Sequence, residues 1–410
     1  MISFDESMYI LDSLVIEPTK IIELPLMEAQ DYILAEDIIA SSNSPEYPTS
    51  GMDGYAIKYE DQSLGELEIQ GINPAGASEV EELVAGKAIK TFTGSLMPQG
   101  SDTLIPIENV EVVGNSIKIE KEVPFGFSVR EVGENFKKDE ILIKKGTKLS
   151  FSEIGVLASL NYTYVKVYEK VKVAVIATGE ELLELGEEQT RPSQIRSSNN
   201  YTIEALAKEH NAQVTNFGCV GDDLDELKKV FKNALNTCDI VVSTGGVSVG
   251  DFDFVKDIVK DELEAKVLFK GVVIKPGQHI MLAQANNKTI LALPGFAYSS
   301  TVTALLYLLP LLYKYQNSKY NRLTLKAKLL SDFTKKSKKT EFTPCNVYQN
   351  HGELFVDFRG KKDGTSAIMT NMIDTKALVV NKENDTSKKA GEFVEIFLFN
   401  LNIKKLGGGK

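Results

Sequence analysis

Residues 239–254 read Asp-Ile-Val-Val-Ser-Thr-Gly-Gly-Val-Ser-Val-Gly-Asp-Phe-Asp-Phe. The apolar run at 240–242 predicts a buried strand, and the three glycines after it predict a loop whose backbone N–H groups approach a ligand closely. Asp251 and Asp253 follow where a helix begins, and their carboxylates can hold a divalent cation such as Mg²⁺. We call residues 245–250 the glycine loop. It is typical of a phosphate-binding turn, although it matches neither a P-loop nor Gly-x-Gly-x-x-Gly.

The region from 171 to 315 alternates between strand and helix patterns. Predicted strands cover 171–177, 214–220, 239–243, 266–274 and 289–293, and predicted helices follow Ser198-Asn199, cover 223–235, and begin at 252 and 297. This alternation predicts a doubly wound parallel sheet. Ligands of such sheets bind beyond the carboxyl ends of the strands.

The flanking regions have different patterns. Near the N-terminus, Met8, Leu11, Leu14 and Val15 recur at helical spacing, and a second stripe runs through Ala29, Ile33 and Leu34. Short strands and turns follow from 54 to about 143, then a connecting helix at 152–160. Strands return at 323–330, 354–358, 377–380 and 394–399.

We therefore expect a multidomain α/β plus β protein. Its expected parts are a discontinuous helical and linking domain at 1–45 and 141–170, an inserted small β domain at 46–140, the central doubly wound α/β domain at 171–318, a C-terminal β barrel or sandwich at 319–403, and a disordered tail at 404–410.

Composition excludes several classes of function. The 410 residues carry a net charge of -11, which disfavours binding to nucleic-acid phosphates. The most apolar segment, 301–312, is too short to span a membrane, and no secretory signal pattern opens the sequence. The three cysteines and three histidines are widely spaced, which argues against structural zinc and fits reduced thiols. We expect a cytoplasmic protein that binds neither nucleic acid nor membrane.

Four polar loops follow predicted strand ends in the α/β region. They are Thr178-Gly179-Glu180-Glu181, the glycine loop with the aspartates after it, Lys275-Pro276-Gly277-Gln278, and Pro294-Gly295. Each loop alone is compatible with an ordinary turn or helix cap. Together they predict one crevice for an anionic, phosphate-bearing ligand, because they offer backbone donors, a lysine and metal-binding carboxylates.

Taken together, the motifs resemble the molybdopterin molybdenumtransferase family, the bacterial MoeA type that also forms the E domain of gephyrin. Matching residues occur in the family's order: Met52-Asp53-Gly54-Tyr55-Ala56, Thr93-Gly94-Ser95 with Asp102-Thr103 and Glu108, Arg130 with Gly133-Glu134-Asn135, Thr178 to Leu182, Ser198-Asn199, Ser243 to Gly250, Lys275-Pro276-Gly277 and Leu293-Pro294-Gly295. They extend over nearly the whole chain.

The resemblance implies an elongated protomer that forms a homodimer, with an α/β domain like that of the molybdopterin adenylyltransferases. It implies a Mg²⁺-dependent enzyme that takes adenylylated molybdopterin and molybdate, cleaves the phosphoanhydride, and releases AMP and molybdenum cofactor. The active site would lie between the α/β domain of one subunit and the inserted domain of the other. A molybdopterin adenylyltransferase is the expected partner enzyme.

The resemblance also implies roles for individual residues. Asp53 and Thr93 would act from the partner subunit, while Glu181, Asp253 and either Asp222 or Asp223 would bind Mg²⁺ and activate water, with Asp251 as a further metal ligand. Lys275 would balance charge on the pyrophosphate or molybdate. The expected binding residues are Gly245, Gly246, Val247, Ser248 and Gly250 for the phosphate, with Ser198, Asn199, Pro294, Gly295, Ser299 and Ser366.

The sequence departs from the family pattern around the expected oxyanion site. Gln278 and His279 replace the family's second lysine and proline, Phe296-Ala297 replace Asn-Pro, and the Glu341-Phe342 pair is flanked by Lys339 and Pro344 in place of arginines. Loss of a charged hydrogen bond costs roughly 1.5–3 kcal/mol. Protonated His279 is the expected compensation.

Two alternatives remain at this stage. The α/β domain alone would suffice for a nucleotide-processing adenylyltransferase or hydrolase. A non-catalytic, gephyrin-like scaffold is the alternative from another class. The sequence does not distinguish molybdate from tungstate.

Overall fold

The computed structural model describes residues 1–77, 79–246, 258, 263, 265–362 and 366–405. The chain forms two compact units. The first unit contains Met1–Ala35, Gly146–Ile154 and Tyr162–Lys410, and the second contains Glu36–Lys145 and Gly155–Asn161.

The elements are numbered along the chain. The helices are α1 (Phe4–Ser13), α2 (Phe151–Ser159), α3 (Asn199–Glu209), α4 (Leu224–Thr237), α5 (Ala297–Thr303) and α6 (Leu309–Lys314), with short 3₁₀ turns at Leu26–Ala29, Tyr59–Leu64, Ile107–Asn109 and Met369–Met372 and a π segment at Ala304–Leu308. The strands are β1 (Ile21–Pro25), β2 (Ile38–Ile39), β3 (Thr49–Ser50), β4 (Gly54–Ile57), β5 (Glu66–Asn73), β6 (Lys87–Thr91), β7 (Thr103–Pro106), β8 (Val110–Val113), β9 (Ser116–Ile119), β10 (Val129–Arg130), β11 (Ile141–Ile143), β12 (Tyr164–Tyr168), β13 (Lys172–Thr178), β14 (Leu182–Leu183), β15 (Ile195–Arg196), β16 (Gln213–Val220), β17 (Ile240–Thr244), β18 (Lys266–Lys270), β19 (Ile274–Lys275), β20 (Met281–Ala285), β21 (Lys288–Leu293), β22 (Leu323–Leu329), β23 (Thr340–Asn350), β24 (Glu353–Asp357), β25 (Ala377–Asn381), β26 (Phe393–Leu398) and β27 (Lys404–Lys405).

The α/β region forms a sheet of strand order β16-β13-β17-β21-β20-β18. The first four strands are parallel, as the alternating pattern predicts. Strands β20 and β18 pair antiparallel, so the predicted doubly wound sheet has an antiparallel edge. The reason is local: Asn286 and Asn287 take positive φ in a tight hairpin that joins β20 directly to β21 without a crossover helix.

Both faces of this sheet are buried. Val173 and Val175 of β13 pack in one apolar cluster, whereas Ala174 and Ile176 pack in another on the opposite face. Successive side chains of a strand point to opposite faces, so an unbroken apolar run is what a sheet covered on both sides requires.

The C-terminal strands close into a barrel. Pairings β22–β24, β24–β23, β23–β25, β25–β26 and β26–β22 return to the starting strand, and alternate residues such as Ala327, Val347 and Val379 fill the interior. The pattern predicted four of these strands. It missed β23, the longest, because Pro344 lies inside it and proline lacks the N–H that a strand ladder uses.

Strand β19 does not join the α/β sheet. The predicted strand at 266–274 ends at Lys270, and Ile274 and Lys275 pair instead with Thr340 and Glu341 of the barrel strand β23. The expectation that the Lys275 loop follows a strand of the α/β sheet is therefore wrong. This parallel pairing joins the α/β sheet region and the barrel within the first unit.

The N-terminal helix prediction holds only for its first part. Helix α1 begins with a capping box in which Ser3 accepts from the Glu6 N–H and Glu6 accepts from the Ser3 N–H. The second stripe is not helical, although Ala29, Ile33 and Leu34 are buried. Ile33 and Leu34 bridge to Lys148 and Val167, so tertiary pairing overrides the helical spacing.

The helix predicted from Ala297 forms but changes geometry along its length. Helix α5 passes into the buried π segment and then into α6, where Pro310 lies in the first turn. Proline cannot donate the hydrogen bond that would continue the α-helix, so the π segment precedes the new start.

The second unit contains a six-stranded sheet of order β7-β4-β6-β5-β9-β8. Its core includes Tyr55, Ile57, Leu67 and Ile105, which are buried. Strand β4 pairs antiparallel with β6, setting Gly54 opposite Thr91 and Tyr55 opposite Lys90.

No helix among the described residues is both long and apolar enough to cross a membrane. The helix predicted from Phe252 and the last five residues of the predicted tail lie outside the described residues.

We predict that His210 makes the first unit sensitive to acid. Burial lowers the pKa of His210 below its ordinary value, and its Nδ1 lies 3.3 Å from the Tyr313 hydroxyl. As pH falls below about 6.5, the unfolded chain binds a proton that the native state resists, so the free energy of unfolding decreases. Urea unfolding from pH 7.5 to 5.5 should show a smaller decrease for His210→Gln than for the wild type.

The exposed His351 supplies the control. His351→Asn, which suits its positive φ, should keep the wild-type pH dependence. An identical acid response in His210→Gln and wild type would contradict the assignment.

Candidate functional site

The chain changes direction in the α/β sheet between β13 and β17. From β13 it crosses to β16 on one side, and then to β17 on the other side of β13. Crevices form at the carboxyl ends of strands where such a reversal occurs. Thr178 ends β13 and Thr244 ends β17, and the Thr178 hydroxyl donates to the Thr244 carbonyl at 3.3 Å. We call this place the sheet-end crevice.

Gly245 sits where only glycine fits. Its φ is +92°, and a Cβ there would lie 2.6 Å from the Thr178 carbonyl oxygen. Gly246 also has positive φ, and its φ is 65°. A Cβ on Gly295 would be 3.6 Å from the Gly245 Cα, so the loops after β17 and β21 meet. The structure therefore brings Gly245, Gly246 and Gly295 to the sheet-end crevice.

Two hydroxyls beside the glycine loop have no hydrogen-bond partner among the described residues. The Oγ of Ser243 and the Oγ1 of Thr244 are buried and form no hydrogen bond with any residue that the structure describes. A buried hydroxyl without a partner costs about 1–3 kcal/mol. Donor or acceptor atoms of a ligand would offset that cost.

Acidic side chains meet on one side of the crevice. Burial raises the pKa of Asp222, and the charges of Glu181 and Glu180 raise it further, although the Glu180 N–H opposes them. Asp223 has a different function, since its carboxylate accepts from the Glu226 N–H at 2.9 Å and caps α4. Of the two aspartates that the sequence left open, Asp222 is the one placed with Glu181.

Helix α3 begins next to the same loops. The Asn199 side chain donates to the Gly295 carbonyl at 2.7 Å, which links two of the predicted binding residues and holds the turn after Pro294. Ser198 precedes the helix, and its side chain makes no capping hydrogen bond.

A second site lies between the barrel and the α/β region. It is a cavity of about 530 Å³, which we call the barrel cavity. Of the predicted residues, Lys275 and Ser366 line it, and the Ser366 carbonyl accepts from the N–H of the buried Ser299 at 3.2 Å. The Lys275 loop thus lines this cavity.

The barrel cavity has a positive lining. Its described lining includes five basic side chains (Lys275, Lys336, Arg359, Lys361 and Lys362) and three acidic ones (Asp332, Glu341 and Asp357). The Glu341 carboxylate is buried, accepts from the Lys336 N–H at 3.2 Å, and lies 3.7 Å from the Lys275 ammonium. The net excess of positive charge suits an anion.

Several basic residues of this cavity were missed from the sequence. Lys361 donates to the Asn371 and Ile373 carbonyls and to the Thr375 hydroxyl, so it holds the cavity wall together. Arg359 pairs with the buried Asp357 at 3.1 Å, yet its side chain is 84% exposed. The available signal was the basic cluster directly after the strand at 354–358.

Gln278 stands where the family pattern has a lysine, and the residue that contacts it with a positive charge is Lys339. Lys339 donates to the Gln278 side-chain carbonyl, which turns the amide N–H toward His279 Nε2 at 2.8 Å. His279 Nε2 is then the acceptor. Lys339 brings a positive charge to Gln278.

Asp53 and Thr93 lie together in the second unit. One carboxylate oxygen of Asp53 accepts from the Thr93 N–H at 2.8 Å and from its hydroxyl at 2.7 Å. These bonds hold the pKa of the exposed Asp53 below its ordinary value, and the charge of Lys90 lowers it further. Asp53 is thus ionised and fixed in orientation.

Some predicted residues lie outside the described part of the chain. They are Val247, Ser248, Gly250, Asp251 and Asp253. Within the described part, no group of three or more His, Cys, Asp and Glu side chains is arranged to hold a metal ion. The three cysteines are unpaired.

Three family profiles match successive parts of the chain. They are the MoeA N-terminal region (domain I and II) at residues 2–161, the "Probable molybdopterin binding domain" at 174–314, and the MoeA C-terminal region (domain IV) at 326–399. A molybdopterin molybdenumtransferase of Staphylococcus epidermidis is 34% identical over 392 residues, covering 93% of this chain and 92% of that protein.

This chain belongs to the molybdopterin molybdenumtransferase family. The Haemophilus influenzae molybdopterin molybdenumtransferase is 32% identical and covers 93% of this chain and 95% of its own. A crystal structure of the molybdopterin biosynthesis MoeA protein from Pyrococcus horikoshii superposes with a TM-score of 0.83 at 28% identity, covering 97% of this chain and 100% of that one. The predicted multidomain architecture of this family is thereby confirmed.

We predict that Gly245→Ala disrupts the sheet-end crevice. An alanine at this position would have to keep a positive φ, and its Cβ would overlap the Thr178 carbonyl oxygen. Gly186 is the matched control, because its φ is +89° and a Cβ there meets nothing within 4 Å. Gly186→Ala should cost about 1–2 kcal/mol of unfolding free energy from φ alone. Gly245→Ala should cost about 1–3 kcal/mol more.

Urea unfolding of both variants measures this difference. Equal losses of stability would show that Gly245 does not need its close approach to Thr178.

Proposed function

We propose that this protein is a molybdopterin molybdenumtransferase. In the proposed reaction the phosphoanhydride of adenylylated molybdopterin is cleaved, AMP leaves, and the metal of molybdate is transferred to the dithiolene. The observation that carries the proposal is that one unit contains a crevice shaped by close-packed glycines and a cavity with an excess of basic side chains. The sheet-end crevice suits a phosphate, and the barrel cavity suits an oxyanion.

The sheet-end crevice supports the phosphate half of the reaction. Gly245 and Gly246 allow the backbone to approach a ligand. The hydroxyls of Ser243 and Thr244, which bond to none of the described residues, offer hydrogen bonds to it. Donors fixed before the reaction stabilise the charge that gathers on a breaking anhydride.

Mg²⁺ is the proposed cofactor, and Glu181 and Asp222 are the described residues that would hold it. Burial raises the pKa of Asp222, and the charge of Glu181 raises it further. A bound cation would relieve the repulsion between these two carboxylates, which is why the pair fits Mg²⁺. When bound, Mg²⁺ supplies positive charge that offsets charge on the phosphoanhydride. Asp251 and Asp253 remain proposed ligands from the sequence.

Asp222 also has properties that suit proton transfer. Its carboxylate lies close to that of Glu181, where it can accept a proton from a water molecule. We assign it the activation of water at the anhydride. Asp223 is excluded from this function because its carboxylate caps α4.

The barrel cavity supports the part of the proposed reaction that binds the metal oxyanion. Lys275 and the exposed Arg359 offer positive charge, and Ser366 adds polar atoms. Lys339 also brings a positive charge to Gln278, three residues after Lys275. This arrangement keeps the basic character of the site although Gln278 replaces a lysine.

The remaining proposals concern assembly and location. We propose a cytoplasmic homodimer in which Asp53 and Thr93 of one protomer complete the crevice of the other, supplied by a molybdopterin adenylyltransferase. A hydrolase that uses only the α/β domain is less well supported, since Lys275 is positioned by pairing with the barrel.

We predict that Asp222→Asn slows AMP release by about a hundredfold or more, because the loss of a general base has that magnitude. Asp223→Asn is the matched control, since asparagine also caps helices and α4 should persist. Single-turnover release of AMP from adenylylated molybdopterin, with Mg²⁺ and molybdate present, gives the rates. Equal rates for the two variants would contradict the assignment of Asp222.

We predict that Lys275→Met raises the molybdate concentration needed for half-maximal AMP release by about ten- to a hundredfold, since a charged contact is lost. Lys275→Arg should recover part of the molybdate affinity. Such a recovery would show that the loss in Lys275→Met comes from the missing positive charge and not from misfolding. The exposed Lys338, outside the described cavity lining, gives the control Lys338→Met. If Lys275→Met kept the wild-type molybdate dependence, the barrel cavity would not be the oxyanion site.

A further inference from the structure

The second unit has a pocket of its own. It has a volume of about 230 Å³ and is lined by Asp53, Gly54, Tyr55, Lys90, Thr91, Phe92, Ile107 and Val112. Antiparallel pairing of β4 with β6 sets Tyr55 opposite Lys90, which places this lysine next to the strand that Asp53 precedes. We call it the Lys90 pocket.

The two charged residues of the pocket retain binding capacity. Thr93 occupies one carboxylate oxygen of Asp53, and the other oxygen has no hydrogen bond to a described residue. The Lys90 ammonium lies 5.6 Å from the centroid of the Phe92 ring and likewise donates to no side chain or carbonyl in the described part of the second unit. The pocket thus offers a ligand one acceptor, the second Asp53 carboxylate oxygen, and one donor, the Lys90 ammonium.

The remaining walls are apolar and open to solvent. Ile107 is 43% exposed and Val112 is 56% exposed, while Phe92 is half-buried. Apolar walls with a few placed polar groups are the usual composition of a pocket for a small heterocycle. The volume suits one fused ring system and is too small for a whole dinucleotide.

We propose that the Lys90 pocket binds the pterin ring of the substrate by its 2-amino-4-oxo edge, with Asp53 as acceptor and Lys90 as donor. The ring N–H and the 2-amino group donate to the Asp53 carboxylate, and the 4-oxo oxygen accepts from the Lys90 ammonium. Ile107, Val112 and Phe92 contact the ring. This inference rests on the proposed function, because it assigns one part of that substrate to one pocket.

The same pair of residues discriminates against adenine, the other ring of the substrate. Adenine has a ring nitrogen acceptor where the pterin has its N–H, so a lone pair would face the carboxylate. Adenine also lacks the carbonyl that Lys90 would bind. Unpaired polar groups of this kind reject a mismatched ligand strongly.

Fluorescence titration of the full-length protein with free pterin tests the inference. Wild-type protein should bind pterin, and adenine should not compete. Lys90→Met should weaken pterin binding by about ten- to a hundredfold, the effect of losing one charged hydrogen bond. Lys90→Arg, which keeps a cationic donor, should recover part of it.

Lys87→Met is the matched control. Lys87 lies on the same strand β6, outside the pocket lining, and pairs with the exposed Glu68 at 2.9 Å. This variant should bind pterin as the wild type does. Absence of pterin binding by the wild type, equal binding by Lys90→Met, or competition by adenine would each overturn the inference.

AMP release separates this inference from the proposed function. Under the inference, Lys90→Met raises the KM for adenylylated molybdopterin more than it lowers kcat. AMP release by wild type together with an unchanged KM in Lys90→Met would overturn the pterin pocket and leave the transferase function intact. Pterin binding that depends on Lys90, without any AMP release, would support the pocket and overturn the transferase function.

Discussion

The parallel pairing of β19 with β23 is the constraint on which the first unit depends. It takes Ile274 and Lys275 out of the α/β sheet and sets them opposite Thr340 and Glu341 of the barrel. Lys275 is then held 3.7 Å from the buried Glu341 carboxylate. A buried carboxylate without a partner costs several kcal/mol, so this contact stabilises the pairing of β19 with β23. It also places the Lys275 ammonium in the lining of the barrel cavity.

The two proposed anion sites of the first unit depend on different physical causes. The sheet-end crevice depends on backbone shape, since Gly245 approaches Thr178 more closely than any other residue could. The barrel cavity depends on charge, since its described basic residues outnumber its acidic ones. A reaction that cleaves a phosphoanhydride and takes up a metal oxyanion needs both kinds of site, so neither site alone would specify the proposed function.

Sequence patterns predicted the elements whose residues satisfy local rules. The parallel strands, helix α4 and four barrel strands follow directly from periodicity. The incorrect predictions concern segments whose conformation is set by tertiary pairing. Ile33 and Leu34 have helical spacing but bridge to distant strands, and β23 tolerates Pro344 within a long ladder. Lys339 reaches Gln278 only through the fold, so spacing alone pointed to His279.

The central claim is that a tetrahedral metal oxyanion binds in the barrel cavity beside β19. Anomalous diffraction from crystals soaked in molybdate, collected at the molybdenum absorption edge, measures this directly. The account predicts an anomalous peak in the cavity between Lys275 and Ser366, close to Arg359. A peak at another place on the protein, or an empty cavity at saturating molybdate, would contradict it.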